Sequence, residues 1–165
     1  MTLAEKENIL NKARQKLSDN QKYFKKLKKH KKTLDKEIQP LHDKIFEEEV
    51  DCLTCANCCK TTGPMLINSD IERIAKHLKK KPAQLIEEYI KIDEDGDYVF
   101  HSMPCPFLGA DNYCMIYKVR PKACREYPHT NRKNQHQILN RTLKNTLICP
   151  AVNKIFDKLK KVIPE

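Results

Sequence analysis

The chain has 165 residues, 39% of them hydrophobic and 33% charged, with no Trp and a formal net charge of +10. Such a length holds one domain, or one domain with an extension, and so lean a core gains from a bound metal. The three glycines, Gly63, Gly96 and Gly109, are far apart, so there is no GxGxxG or P-loop, which removes most conventional dehydrogenase, kinase and methyltransferase readings. The opening MTLAEKENIL is polar and no stretch approaches membrane-spanning length, so a cytosolic protein without a membrane partner is expected.

In chain order, residues 1–50 are expected to form a basic helical extension, and 51–165 a cysteine-bearing domain. Leu3, Leu10, Leu17, Phe24, Lys31, Ile38 and Ile45 fall on one heptad line, and Ala13, Asn20, Leu27, Leu34 and Leu41 on the other. The pattern predicts a long helix or a helical hairpin. Ser18 and Gln21 offer a capping box at which the helix restarts, and Pro40 is expected to kink or restart it again. The heptads suit pairing with a second copy of the chain or packing on the cysteine domain. The run KYFKKLKKHKK has the charge of a nucleic-acid patch, but charge runs on helices usually face solvent, and nucleic acid is not the expected partner.

Further along, INSDIERIAKHLKK predicts a helix capped at Asn68 or Ser69, and KPAQLIEEYI a helix with Pro82 in its first turn. KIDEDGDYVF reads as a short β-hairpin about Asp95-Gly96. Residues 103–130, rich in Pro, Cys and Tyr, are expected to be irregular and in need of cross-linking. HQILNRTLKNTL reads as helical. PAVNKIFDKLKKVI reads as an amphipathic last helix, with Val152, Ile155, Phe156, Leu159 and Val162 inward. The fold class is therefore mostly α: a small helical, metal-bound domain with one hairpin and Cys-rich loops.

The cysteines carry the chemistry. Cys52, Cys55, Cys58, Cys59, Cys105, Cys114, Cys124 and Cys149 are all candidate metal ligands. In a reducing compartment clustered thiols bind metal rather than pair as disulfides. C-x2-C-x2-C suits zinc, and equally a [4Fe–4S] site whose fourth ligand is remote and followed by Pro, as at Cys105-Pro106 and Cys149-Pro150. An iron–sulfur cluster is slightly favoured over Zn2+ on that ground. Neighbouring residues of an extended chain point apart, so Cys59 is expected to serve a second site, bridge two metals or stay a reactive thiol. Eight thiolates suffice for two four-cysteine sites, or for one closed site and one with an open position. Even with all eight ionised around two dications the chain stays basic. Arg120, Lys122 and Arg125 flank Cys124 and could offset thiolate charge. Tyr117 and Tyr127 are read as packing residues, His101 and His129 as surface or packing residues, and Glu126 as the partner of a nearby Arg.

CLTCANCC from Cys52, CPFL from Cys105, CMIYKVRPKACREYP from Cys114 and the late Cys149 together resemble the YkgJ-type cysteine-cluster family of zinc- or iron-chelating CxxCxxCC proteins. The resemblance covers about residues 35–160. It implies metal binding by the cysteines. Some relatives are described as iron–sulfur oxidoreductases, and flagellin lysine N-methylase carries a related domain. An enzyme using S-adenosylmethionine at an open iron is thus one alternative, though no motif for that cofactor is present. An adaptor working through the basic N-terminal helix is another.

Overall fold

The computed structural model describes residues 1–164. In chain order it contains α1 (Leu3–Gln15), α2 (Leu17–Leu27), α3 (Leu34–Glu48), α4 (Cys52–Cys55), α5 (Asn57–Thr61), β1 (Met65–Leu66), α6 (Asn68–His77), α7 (Pro82–Tyr89), β2 (Ile90–Ile92), β3 (Tyr98–Phe100), α8 (Lys122–Glu126), α9 (Leu139–Asn145) and α10 (Pro150–Val162). Single 3-10 turns lie at Tyr117–Val119 and Gln135–Gln137. The fold is mostly helical, as expected, and the hairpin is extended by a third strand. Residues 1–55 and 128–165 pack as one compact unit and residues 56–127 as another. The C-terminal segment thus returns to the unit that holds the N-terminal helices.

In the first unit the heptad region is neither one helix nor a hairpin but three helices. Thr2 and Glu5 close a reciprocal capping box at the start of α1: the Glu5 amide donates to Thr2 Oγ1 (3.2 Å) and the Thr2 amide to Glu5 Oε2 (2.7 Å). The expected box at Ser18 is absent. α2 starts at Leu17 behind Lys16, with no side-chain cap. The next break falls at residues 28–33 and not at Pro40, which lies within α3. The heptad residues nonetheless form the core: Leu10, Ala13, Phe24, Leu27, Leu34, Ile38 and Ile45 are buried with Val152, Ile155, Phe156 and Leu159 of α10. Phe24 stacks on Phe156 with ring centroids 4.5 Å apart. Val162, expected inward, is 52% exposed at the end of α10. Polar contacts align the same helices. Glu49 binds Lys154 (2.7 Å) and Lys158 (2.6 Å), Lys160 donates to buried Asn20 (3.1 Å), and the Tyr23 hydroxyl donates to the Ile163 carbonyl (2.9 Å). The apolar stripe is therefore covered within the chain's own first unit.

The second unit is built on a three-stranded antiparallel sheet in the order β1-β3-β2, with Met65 opposite Val99 and Val99 opposite Lys91. Gly96 (φ 84°) takes the left-handed position in the β2–β3 turn, where a side chain would be strained. The inner face carries Leu66, Ile90 and Phe100 onto Ile71, Ile74 and Ala75 of α6, Leu85 of α7, and Phe107 and Ile116 of the following loops. Pro82 opens α7 as expected, and the Lys81 amide is capped by Gln84 (2.9 Å). α6 is closed at its start by Asp70, not by Asn68 or Ser69: the Ile67 amide donates to Asp70 Oδ2 at 3.3 Å. Among the described residues no helix is long and apolar enough to cross a membrane.

Candidate metal centre

The CxxCxxCC motif does not form a single knot. Cys52 and Cys55 occupy one helical turn, α4, whose Cys55 amide donates to the Asp51 carbonyl (3.0 Å). Ala56 then takes a left-handed conformation (φ 46°), and Cys58 and Cys59 lie on the next short helix, α5. Because that segment is helical and not extended, the neighbouring sulfurs do not point apart: Cys58 Sγ lies 4.0 Å from Cys59 Sγ.

Within the second unit, backbone hydrogen bonds tie two cysteine-bearing segments to that of Cys59. The Cys105 amide donates to the Cys59 carbonyl at 2.8 Å, which ties the start of the irregular region to α5. From Cys105 the chain doubles back on itself. Leu108 forms an antiparallel bridge with Cys114, the Met115 amide donates to the Phe107 carbonyl (2.9 Å), and the Gly109 amide to the Tyr113 carbonyl (2.8 Å). A side chain at Gly109 would crowd the Tyr113 carbonyl oxygen (3.2 Å) and the Asp111 carboxylate (2.7 Å), which accepts the Tyr113 amide. Phe107 anchors the loop between Tyr89 and Phe100, at centroid distances of 4.8 and 5.3 Å. Two residues beyond each thiol, the Phe107 and Ile116 amides hydrogen-bond the sulfurs of Cys105 and Cys114. An amide aimed at sulfur favours the thiolate, and with it metal ligation.

Cys124, on α8, completes the group. Burial pushes its thiol up to about 12, and the charges of Cys59, Cys105 and Cys114 add to the effect. Burial likewise raises Cys105 to about 11, reinforced by Cys59 and Cys114, and raises Cys114, reinforced by Cys59. Cys59 goes the other way, to about 7, chiefly because the Cys58 thiol hydrogen-bonds it. These four sulfurs are near enough to feel one another's charge. Two cations oppose them: Lys60 lowers Cys59, and the Arg120 guanidinium lowers both Cys114 and Cys124, sits 3.9 Å over the Tyr117 ring, and donates to the Tyr117 carbonyl (2.7 Å). Of the three cations expected beside Cys124, Arg120 thus meets the expectation. Lys122 pairs with Glu126 (3.7 Å), which corrects the expected Glu126–Arg pair, and Arg125 is exposed. Tyr117 is the packing residue expected. His101 packs parallel to Tyr89 and its Nε2 contacts the Glu88 carbonyl oxygen (2.6 Å). The His129 carbonyl accepts from Gln135 in the first unit.

The first unit holds a second, smaller thiol group. Cys149 is buried at the start of α10, and its sulfur accepts from the Val152 and Ala151 amides. Burial drives its thiol up to about 12, and the charges of Cys52 and Cys55 push in the same direction.

Among the described residues, no three or more His, Cys, Asp or Glu side chains already stand in an arrangement that could hold a metal ion. What fits a metal is the chemistry of the donors. Several half-buried sulfurs raise one another's ionisation cost, and a bound cation would remove that cost. Sequence reading found all eight thiols but missed the sulfur-directed amides of Phe107 and Ile116. The only signal for the amides is the repeat of a cysteine with an apolar residue two places on, Cys105-Pro-Phe107 and Cys114-Met-Ile116.

A relative from Methanocaldococcus jannaschii, "Uncharacterized protein MJ0661", is 30% identical over 82 residues, which are 48% of this chain and 44% of the relative. The chain thus spans less than half the length of that relative. No solved structure gives a significant match. The profile of the CxxCxxCC family, described as a "Putative zinc- or iron-chelating domain", matches residues 51–150, a span that holds every cysteine of the chain. The chain belongs to that family.

Proposed function

We propose that the chain is a metal-binding protein that holds zinc or iron through Cys59, Cys105, Cys114 and Cys124. The observation that carries this reading is electrostatic: these thiols, drawn from four segments of one unit, sense one another's charge, and one guanidinium, Arg120, acts on two of them. Bound there, the metal would supply a cross-link for the loop-rich part of the unit or a one-electron centre. The chain's own residues do the preparation. The Phe107 and Ile116 amides stabilise two thiolates, Arg120 offsets negative charge, and Cys58 holds the proton hydrogen-bonded to Cys59. A four-thiolate site with a dication is anionic, so a fixed guanidinium beside it lowers the cost of assembly.

An iron–sulfur centre is the second reading. It is favoured by the group of Cys52, Cys55 and Cys149, since Cys149 precedes Pro150 and joins two local cysteines, as in ferredoxin-type ligation. Purification without air, followed by absorbance and by iron, zinc and sulfide analysis per chain, separates the two. Brown protein with iron and sulfide supports the cluster; colourless protein with stoichiometric zinc contradicts it and supports the first reading with zinc.

A further inference from the structure

Asp70 is the most deeply buried carboxylate that the thiol chemistry leaves unused, with a side chain only 1% exposed. It pairs with Arg73, one turn along α6, at 2.5 Å. Neither residue adjoins a cysteine in sequence, yet every long-range bond of the pair goes to the segment that carries Arg120 and Cys124. Arg73 Nε donates to the Val119 carbonyl (3.3 Å) and Nη2 to the Arg120 carbonyl (3.0 Å), while Nη1 is held by the Ser69 carbonyl (3.3 Å). Asp70 Oδ1, besides receiving Arg73, accepts the Lys122 amide at 3.1 Å. Residues 119–122 are thus gripped on both sides of Pro121, which has no amide to offer. Lys122 is the first residue of α8, so the carboxylate also meets the positive end of the helix that carries Cys124.

We propose that the Asp70–Arg73 pair is a positioning clasp for the metal centre: it sets where Cys124 and Arg120 stand relative to Cys59, Cys105 and Cys114. The inference rests on the metal reading above. A carboxylate bound to a guanidinium is a costly thing to bury, and an apolar pair could fill the same space. What an apolar pair could not do is take three carbonyls and two amides at once. Arginine's fork suits this task and lysine's single ammonium does not. The clasp does not touch the metal. It acts through the backbone of residues 119–122, and so belongs with the outer contacts whose loss typically lowers metal affinity by about 10- to 100-fold.

The test uses the full chain, reduced and kept from air, titrated with cobalt(II) alone. Sulfur-to-cobalt charge-transfer bands and visible ligand-field bands report thiolate ligation. The readout is the spectral component that Cys124→Ser removes. Asp70→Asn keeps the shape of the side chain, Arg73→Lys keeps its charge, and Leu85→Ala opens a cavity in the same core without touching the clasp. The clasp requires that Asp70→Asn and Arg73→Lys each weaken this component by about 10- to 100-fold and shift its bands. Leu85→Ala, matched for loss of thermal stability, should leave the bands in place. Should Asp70→Asn not fold, Arg73→Lys decides alone. Affinity and bands unchanged in both variants, or falling only as far as in Leu85→Ala, would overturn the clasp and leave the metal centre standing. A wild-type chain with no cobalt component dependent on Cys124 would overturn the metal reading and the clasp together.

Discussion

Cys58 and Cys59 are neighbours with opposite tasks. Their sulfurs are 4.0 Å apart, and the hydrogen bond from Cys58 holds the Cys59 thiol near 7, while Cys105 and Cys124 stand at about 11 and 12. In reduced, metal-free protein at pH 7, iodoacetamide should therefore modify Cys59 well before Cys105 or Cys124. Peptide mass spectrometry with time gives the order. Thiolate is the reactive form, so the Cys59 rate should fall as pH drops below 7, while its advantage over Cys105 and Cys124 should narrow only as pH rises towards their values. Cys58→Ala removes the hydrogen bond, raises the Cys59 thiol and should slow its alkylation at pH 7, while Cys59→Ser should abolish metal uptake at the four-thiol group. Arg120→Gln removes the guanidinium that lowers Cys114 and Cys124, so alkylation of Cys114 at pH 9 should become slower. Sequence alone named every sulfur and set Cys59 apart from Cys52 and Cys55, but on a premise of extended backbone that does not hold. The rule that adjacent side chains diverge holds for a strand, and residues 57–61 are a helical turn. The Asp70–Arg73 clasp was illegible for another reason: its partners are backbone groups about fifty residues away, and side-chain patterning carries no record of them.

At the scale of elements, α10 against α3 shows what periodicity can and cannot reveal. The apolar faces of both were legible, and Ile38, Ile45, Val152, Ile155 and Leu159 are all buried. Ile45→Ala should cost about 2–5 kcal/mol in unfolding free energy, read by urea denaturation, because a large buried side chain leaves a cavity. Glu49 lies beyond the end of α3, between Lys154 and Lys158 of α10, and their hydrogen bonds hold its carboxyl down at about 2. Unfolded, it would titrate near the ordinary 4.5, so the unfolded chain takes up the proton first. The contribution of this pair is present above about 4.5 and lost as pH falls towards 2. Glu49→Gln should lower stability at pH 7 by about 1 kcal/mol, since part-exposed ion pairs are screened, and should flatten that acid limb of the stability curve. Helix ends were the weaker part of the reading. Thr2-x-x-Glu5 is as good a capping signal as Ser18-x-x-Gln21, and only the first is used. Pro40 does not stop α3, which buries Ile38 and Ile45 on either side of it despite one missing amide.

At the scale of the whole molecule, the division of the thiols is the main finding. Cys59, Cys105, Cys114 and Cys124 interact within the unit of residues 56–127, and Cys52, Cys55 and Cys149 within the unit of residues 1–55 and 128–165. The family span, 51–150, overruns the first of these units at both ends, far enough to take in all three cysteines of the other group. Two thiol groups suit the arithmetic of eight cysteines. Which thiol joins which group was not legible, because spacing makes Cys52, Cys55 and Cys58 look like one set and nothing in the sequence reports the left-handed turn at Ala56. The measurement that bears most directly on the metal centre is metal content per chain, taken after purification without air, for wild type and for Cys59→Ser, Cys114→Ser and Cys149→Ser. Wild type should carry zinc or iron, and Cys59→Ser and Cys114→Ser should lose the same fraction of it, a fraction that Cys149→Ser retains. Wild-type protein that is folded, reduced and free of zinc and iron, or metal content indifferent to Cys59 and Cys114, would contradict the account.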